Sequence, residues 1–219
     1  MALPVCTIVG VGPGIGMAVA RRFAKEGFQL ALLARNPESL ATYAAELQTQ
    51  GATVHTYPAD AADFASLTAA FTALHQQQGN TQVLVSNAAV WRQVVPSKLE
   101  ADTLVQDFRT NVAGALQATQ QVLPNMLAQS KGTVLFTGGG SALDPLPNIA
   151  SLSVGKAGIR NLAFSLAAEL SPAGIHVATV TVRGMVKPGT RFDPDVIAET
   201  YWRLHQQAPG AFDREIIYQ

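Results

Sequence analysis

Cysteine is almost missing from this chain: Cys6 is the only one in 219 residues, so no disulfide can form within it. Charge is sparse too. Only 14% of the residues are Asp, Glu, Lys or Arg; 15 basic residues balance 15 acidic ones, and no basic run stands out. Without a basic patch there is no electrostatic footprint for a phosphodiester backbone, and nucleic acid is not expected as a partner. No apolar stretch approaches the ~18 residues of a membrane-crossing helix, so no membrane partner is expected. The opening MALPVCTIVG has neither the basic n-region nor the long apolar segment of a secretory signal, which makes the cytoplasm the expected location. His55, His75, His176 and His205 show no metal-ligand spacing, and no metal site is expected.

What the chain does have is a 48% hydrophobic content, in runs of strand length that alternate with longer stretches of helical period. Such alternation predicts βαβ units and a parallel sheet buried on both faces. The predicted strands are Val5–Gly10, Gln29–Ala34, Thr53–Tyr57, Gln82–Ser86, Gly132–Thr137 and Gly174–Val182, with the terminal EIIY as a seventh. Helices are predicted from Gly14 to Glu26 with Gly27 as C-terminal cap, from Pro37 to Thr49, and from Asp63 as N-cap to Gln77. Two more fill Ala101 to Gln129, a long one runs from Ser151 to Leu170, and Asp193 with Pro194 announces the last. Its Ile197, Tyr201 and Leu204 share one side, which marks Tyr201 as packing. Cys6, inside the first strand, reads as a small core residue. No linker or compositional break interrupts the pattern, so residues 1–219 are expected to form one domain.

Between the first strand and its helix stands GVGPGIG, with Gly10, Gly12, Gly14 and Gly16. Glycine there allows a tight turn, lets backbone approach a pyrophosphate, and opens a helix whose amides and dipole favour negative charge. Further along come Asp60 in ADAAD, Asn87 and Ala88 in SNAA, Asn111 in RTNVAG, Lys156 in SLSVGKAG, and Arg183-Gly184 after the sixth strand. In that order these segments resemble the short-chain dehydrogenase/reductase family over nearly the whole chain. The resemblance implies a Rossmann-type α/β fold, a doubly wound parallel sheet of about seven strands in the order 3-2-1-4-5-6-7 with helices on both faces. It also implies a nicotinamide dinucleotide held by Gly10, Gly12, Gly14, Ile15, Gly16, Asp60, Asn87, Ala88, Lys156 and Gly184. At the end of the second strand an acidic residue would suit the ribose hydroxyls of NAD, whereas this chain has Arg35, whose guanidinium can pair with the 2′-phosphate of NADP. NADP is therefore the expected cofactor, with NAD as the alternative.

The resemblance also carries a departure. Members of the family place a tyrosine four residues before the lysine, as acid or base, and a serine thirteen residues before the tyrosine. Here those positions hold Leu152 and Gly139. Asn111 and Lys156 remain as the catalytic candidates, the lysine toward the nicotinamide ribose and the asparagine toward a helix bend and a water. Ser141, Ser151 and Ser153 lie nearby, but an alcohol has no ionisation near neutrality with which to replace a phenol. Leu152, Trp91 and Met185 would make an apolar wall, which suits a small apolar substrate or an occluded cleft.

Two functions follow from these residues. One is a divergent NADP(H)-dependent oxidoreductase acting on a small, apolar substrate through a non-standard active site. The other is a catalytically inactive NADP(H)-binding relative that serves as a sensor or assembly partner. By the same resemblance a homodimer or homotetramer is expected, paired through helices near Thr110–Gln129 and Ser151–Leu170. Ala157, Leu162, Ala163, Leu166 and Ala167 would allow close helix approach, although burial against the sheet explains the same residues.

Overall fold

The computed structural model describes residues 3–219. Seven strands form one sheet: β1 (Val5–Val9), β2 (Gln29–Ala34), β3 (Val54–Pro58), β4 (Thr81–Ser86), β5 (Gly132–Gly139), β6 (Ile175–Val182) and β7 (Glu215–Tyr218). Every pairing is parallel and the order is β3-β2-β1-β4-β5-β6-β7, as the family resemblance implied. The chain starts in the middle, moves out to β3, then returns past β1 to β4. At the reversal between β1 and β4 the loops leaving the two strands diverge and open a crevice at the strands' carboxyl ends, where such sheets bind ligands.

Seven helices connect the strands: α1 (Ile15–Lys25), α2 (Pro37–Thr49), α3 (Phe64–Gln78), α4 (Ala101–Phe108), α5 (Gly114–Gln129), α6 (Ala150–Leu170) and α7 (Pro194–His205). Side chains start three of them. Asn36 accepts from the amides of Glu38 and Ser39 before α2, Asp63 from those of Ala65 and Ser66 before α3, and Asp193 from that of Asp195 before α7. Gly27 follows α1 at φ 83°, the left-handed conformation that ends a helix. The stretch expected as two helices between Ala101 and Gln129 is joined by a π-helical turn, Arg109–Ala113. Observed ends differ from the expected ones by a residue or two; β5, for example, runs on to Gly139 because Gly138 and Gly139 stay paired with Thr181 and Val182.

Both faces of the sheet are buried. One face packs Val134 and Phe136 against α3, α5 and α6, and the other packs Ile8, Leu32, Leu135 and Val180 against α1, α2 and α7. Phe23, Phe71 and Tyr201 are among the largest enclosed side chains. Each large apolar group removed from water in this way contributes ~1.5–3 kcal/mol. Cys6 is fully enclosed in β1, which pushes its thiol above the usual range, and it serves as core. On α6, Ala163, Leu166 and Ala167 belong to the core cluster on the same face of the sheet, so these residues are used in packing within the chain. No helix among the described residues is long and apolar enough to cross a membrane.

Candidate active site

The glycine turn after β1 is shaped by close contact. Gly10 has φ 81°, and a Cβ there would lie 2.4 Å from the Ala88 backbone. The Asn87 side chain donates to the Gly10 carbonyl at 2.8 Å, and the Asn87 amide donates to the Val9 carbonyl at 2.8 Å. In this way the turn after β4 is fastened onto the turn after β1. Gly16 is buried against Val11 and Asn87, whereas a Cβ on Gly12 or Gly14 would meet nothing within 4 Å. Bare backbone therefore faces open space at the start of α1, and Gly14 supplies no side chain to satisfy the first-turn amides. Such a cradle fits a pyrophosphate, whose oxygens accept from free amides at the positive end of a helix.

Beside it lies a cavity of ≈ 370 Å³ lined by Gly10, Val11, Arg35, Asp60, Asn87 and Ala88, among others. Arg35 is exposed at its rim, next to Asn36 and Ser39 at the start of α2. Asp60 is fixed by its own turn, its carboxylate accepting from the Ala62 amide at 2.9 Å and its amide donating to the Ser66 hydroxyl. Tyr43 and Ser39, one helical turn apart, also line the cavity and were missed in the sequence. Their i, i+4 spacing on a helix that follows Arg35 was the signal that could have found them. Gly12, Gly14, Ile15, Gly16, Asn111, Lys156 and Gly184 do not line this cavity; Asn111 stands behind Val90 at its edge, Lys156 lies against the end of β5, and Gly184 follows β6.

Asn111 is buried in the π-helical turn. Its Oδ1 accepts from the Val90 amide at 2.7 Å, while its Nδ2 has no partner and sits over Gly155 of α6, where a Cβ would come within 2.6 Å. Leu152 is 6% exposed and offers no polar atom where the family has its tyrosine. Lys156, one turn along α6, lays its stem against the bare face of Gly139: a Cβ there would stand 3.2–3.5 Å from Cγ, Cδ and Cε. Its ammonium donates to the Thr137 carbonyl at 2.6 Å. Burial in the absence of a carboxylate partner brings its pKa down to about 8.

Two of the three neighbouring serines are committed elsewhere. Ser151 donates to the buried Asp107 at 2.6 Å, and Ser153 is engaged with the Leu146 backbone. Asp107 also accepts a two-pronged pair from Arg92, at 2.8 and 3.0 Å, which holds its carboxyl below the usual range. This network joins the loop after β4 to α4 and to the first turn of α6. No sequence spacing foretold it, because its members lie 15 and 44 residues apart. Gly184 is covered by the Phe192 ring, a Cβ there coming within 2.1 Å of it, and the ring packs edge-on against Tyr218. Trp91 and Met185 are both exposed. Tyr201 and His205 stand away from this region: Tyr201 is enclosed beneath the sheet and His205 bonds to Thr133. No group of three or more His, Cys, Asp or Glu side chains could hold a metal among the described residues.

Comparison with known proteins gives the same picture. The chain is 34% identical over 217 residues to 2-(S)-hydroxypropyl-CoM dehydrogenase 3 of Xanthobacter autotrophicus, covering 95% of this chain and 83% of that one. A short-chain dehydrogenase from Rhodopseudomonas palustris superposes with a TM-score of 0.88 at 26% identity, covering 99% and 98% of the two chains. A metagenomic short-chain oxidoreductase in complex with NADP has the same fold, with a TM-score of 0.89 at 24% identity over 99% and 97%. The model of the short chain dehydrogenase family matches residues 4–195, and with the seven-stranded sheet and the glycine turn this places the chain in the short-chain dehydrogenase/reductase family.

Proposed function

We propose that the protein is an NADP(H)-dependent oxidoreductase that acts on a small, apolar substrate through a non-standard active site. The observation that carries this reading is the cradle at the start of α1, open at Gly12 and Gly14 and sharing Gly10 with a neighbouring cavity whose rim bears Arg35 and no acidic side chain on the turn Ala34–Asn36. Gly10, Gly12, Gly14, Ile15 and Gly16 take the pyrophosphate, and Asp60, Asn87 and Ala88 flank the adenosine half. Arg35 takes the 2′-phosphate by a two-pronged pair, assisted by Asn36 and Ser39. Lys156 holds the nicotinamide ribose, Gly184 keeps the backbone close to the nicotinamide, and Asn111 braces the loop after β4 through Val90. When bound, the cofactor supplies hydride; the protein binds, orients and excludes water. Relatives support the cofactor, one of them having been solved with NADP.

Fluorescence titration with NADPH and NADH tests this directly. NADPH is expected to bind more tightly than NADH, and Arg35→Ala to weaken NADPH by about 10- to 100-fold while leaving NADH within about 3-fold, the scale of a lost charge-assisted hydrogen-bond pair. Failure to bind either dinucleotide refutes the reading. Leu152 and Gly139 support a second one, a cofactor-binding sensor or assembly partner. It predicts tight NADPH binding with no oxidation across a panel of carbonyls, quinones and enones.

A further inference from the structure

We propose that Lys156 is itself the proton donor of this cleft, its ammonium standing in for the two hydroxyls that Leu152 and Gly139 do not supply. The proposal rests on the oxidoreductase reading above. Its basis is where the lysine stem lies. Because Gly139 has no side chain, Cγ, Cδ and Cε of Lys156 pass 3.2–3.5 Å from the point a Cβ would occupy, so the lysine stem runs along the bare face of the strand where the family has its serine. The stem is held against the strand by the 2.6 Å bond from Nζ to the Thr137 carbonyl.

An ammonium has three N–H donors. One is spent on Thr137, which leaves one for a ribose hydroxyl and one for a substrate oxygen. Three nearby alcohols are occupied, Ser151 by Asp107, Ser153 by Leu146, and Thr137 by Tyr201 at 2.7 Å on the other face of the sheet, which leaves half-buried Ser141 as the rival donor. The charged groups on the surrounding elements are paired with one another: Arg92 with Asp107, Arg183 with Asp144, and Arg160, one turn along α6, with Glu215. None of them neutralises or fixes the Lys156 charge, and burial alone moves its titration toward neutrality, to about 8. An acid works best with a pKa near the working pH, which an ordinary lysine at 10.5 does not have.

The step balances without a further reagent. As hydride reaches the carbonyl carbon, the C=O π pair moves to oxygen. An N–H bond of Lys156 breaks, an O–H bond forms, and the N–H pair remains on Nζ as the lone pair of a neutral amine. Water then returns a proton to Nζ. The neutral amine still donates to Thr137, so it stays in place between turnovers.

Two measurements test this. The first needs no substrate: competitive acetylation with acetic anhydride from pH 6 to 11, followed by mass spectrometry of the Lys156 peptide. Its midpoint is expected near 8, and a midpoint near 10.5 overturns the proposal. The second is NADPH oxidation with an apolar diketone, 1-phenyl-1,2-propanedione. For the wild type, kcat/KM is expected to fall above the acetylation midpoint. At saturating NADPH, Lys156→Arg is expected to lose about 100-fold or more in kcat together with the pH break, the scale of general acid catalysis. Retained turnover in Lys156→Arg with an unchanged pH profile overturns the proposal and leaves the oxidoreductase reading standing. So does a loss confined to Ser141→Ala, which would assign the acid to Ser141. Tight NADPH binding without oxidation of the diketone or any of the panel above overturns the oxidoreductase reading and this proposal with it.

Discussion

Replacing Tyr201 by Phe separates the two roles a tyrosine can have in this fold. Its hydroxyl is 2.7 Å from the Thr137 hydroxyl, its ring is fully enclosed among α1, α7 and the sheet, and burial pushes its pKa far above the working range. A phenol in that position is a structural group. Deleting it leaves the Thr137 hydroxyl, 8% exposed, with no side-chain partner, and an unsatisfied buried polar group costs about 1–3 kcal/mol. For a chain of this length each kcal/mol shifts the melting temperature by about 2–4 °C, so Tyr201→Phe should melt about 2–12 °C lower. The Thr137→Val/Tyr201→Phe double variant should recover part of the loss, because both polar partners then leave together. NADPH affinity and turnover should stay within about 2-fold, since Lys156 reaches Thr137 from the opposite face through the backbone carbonyl. Melting followed by circular dichroism, with NADPH titration on the same samples, reads both. A variant that melts like the wild type but has lost turnover would refute the argument and make Tyr201 the missing acid.

Two further perturbations address the cofactor turn and the pH response. Gly10→Ala forces a side chain into φ 81° and onto the Ala88 backbone at 2.4 Å. The left-handed conformation alone costs about 1–2 kcal/mol. NADPH binding should weaken at least 10-fold by titration, since the Asn87 tie must move; unchanged affinity would show that the two turns are not coupled. Burial lowers the pKa of His176 and takes that of His205 from 6.5 to about 4. The unfolded chain therefore binds more protons between those values, and stability should rise with pH across about 4 to 6.5 and level off above it. Melting temperatures measured from pH 4.5 to 8 check this, and His205→Asn should flatten the slope; an equal slope in that variant assigns it elsewhere.

The order of elements was legible because each strand announces itself by an apolar run, and Asp63 and Asp193 mark the starts of two helices as well. At α2 the sequence named Pro37 as the start, and Asn36, whose side chain caps it, became evident only in the structure. The dinucleotide cradle was legible for a different reason. Close backbone approach demands glycine, and glycine at Gly10 and Gly16 leaves a mark that composition alone does not. The Arg92–Asp107–Ser151 network left none, because it depends on three segments meeting in space, and ordinary charged residues in a loop and on a helix carry no spacing that predicts a meeting.

The departures at Leu152 and Gly139 have a physical relation that their sequence positions conceal. Read separately, they are two losses, a phenol and an alcohol. In the folded chain they surround one side chain, because Leu152 lies one helical turn before Lys156 and Gly139 lies under its stem. A serine Cβ at 139 would press on Cγ at 3.2 Å, a contact the flexible stem relieves by giving a few tenths of an ångström, so glycine lets the stem lie closest to the strand and to Thr137. Leucine at 152, buried and apolar, offers the lysine no hydroxyl, and the ammonium has a backbone carbonyl as its acceptor. The lowered pKa, the stem position and the missing hydroxyls are therefore linked. Together the two departures leave Lys156 lying along bare strand backbone, its ammonium held by the Thr137 carbonyl and flanked by no phenol, which is the arrangement the proposed proton transfer requires.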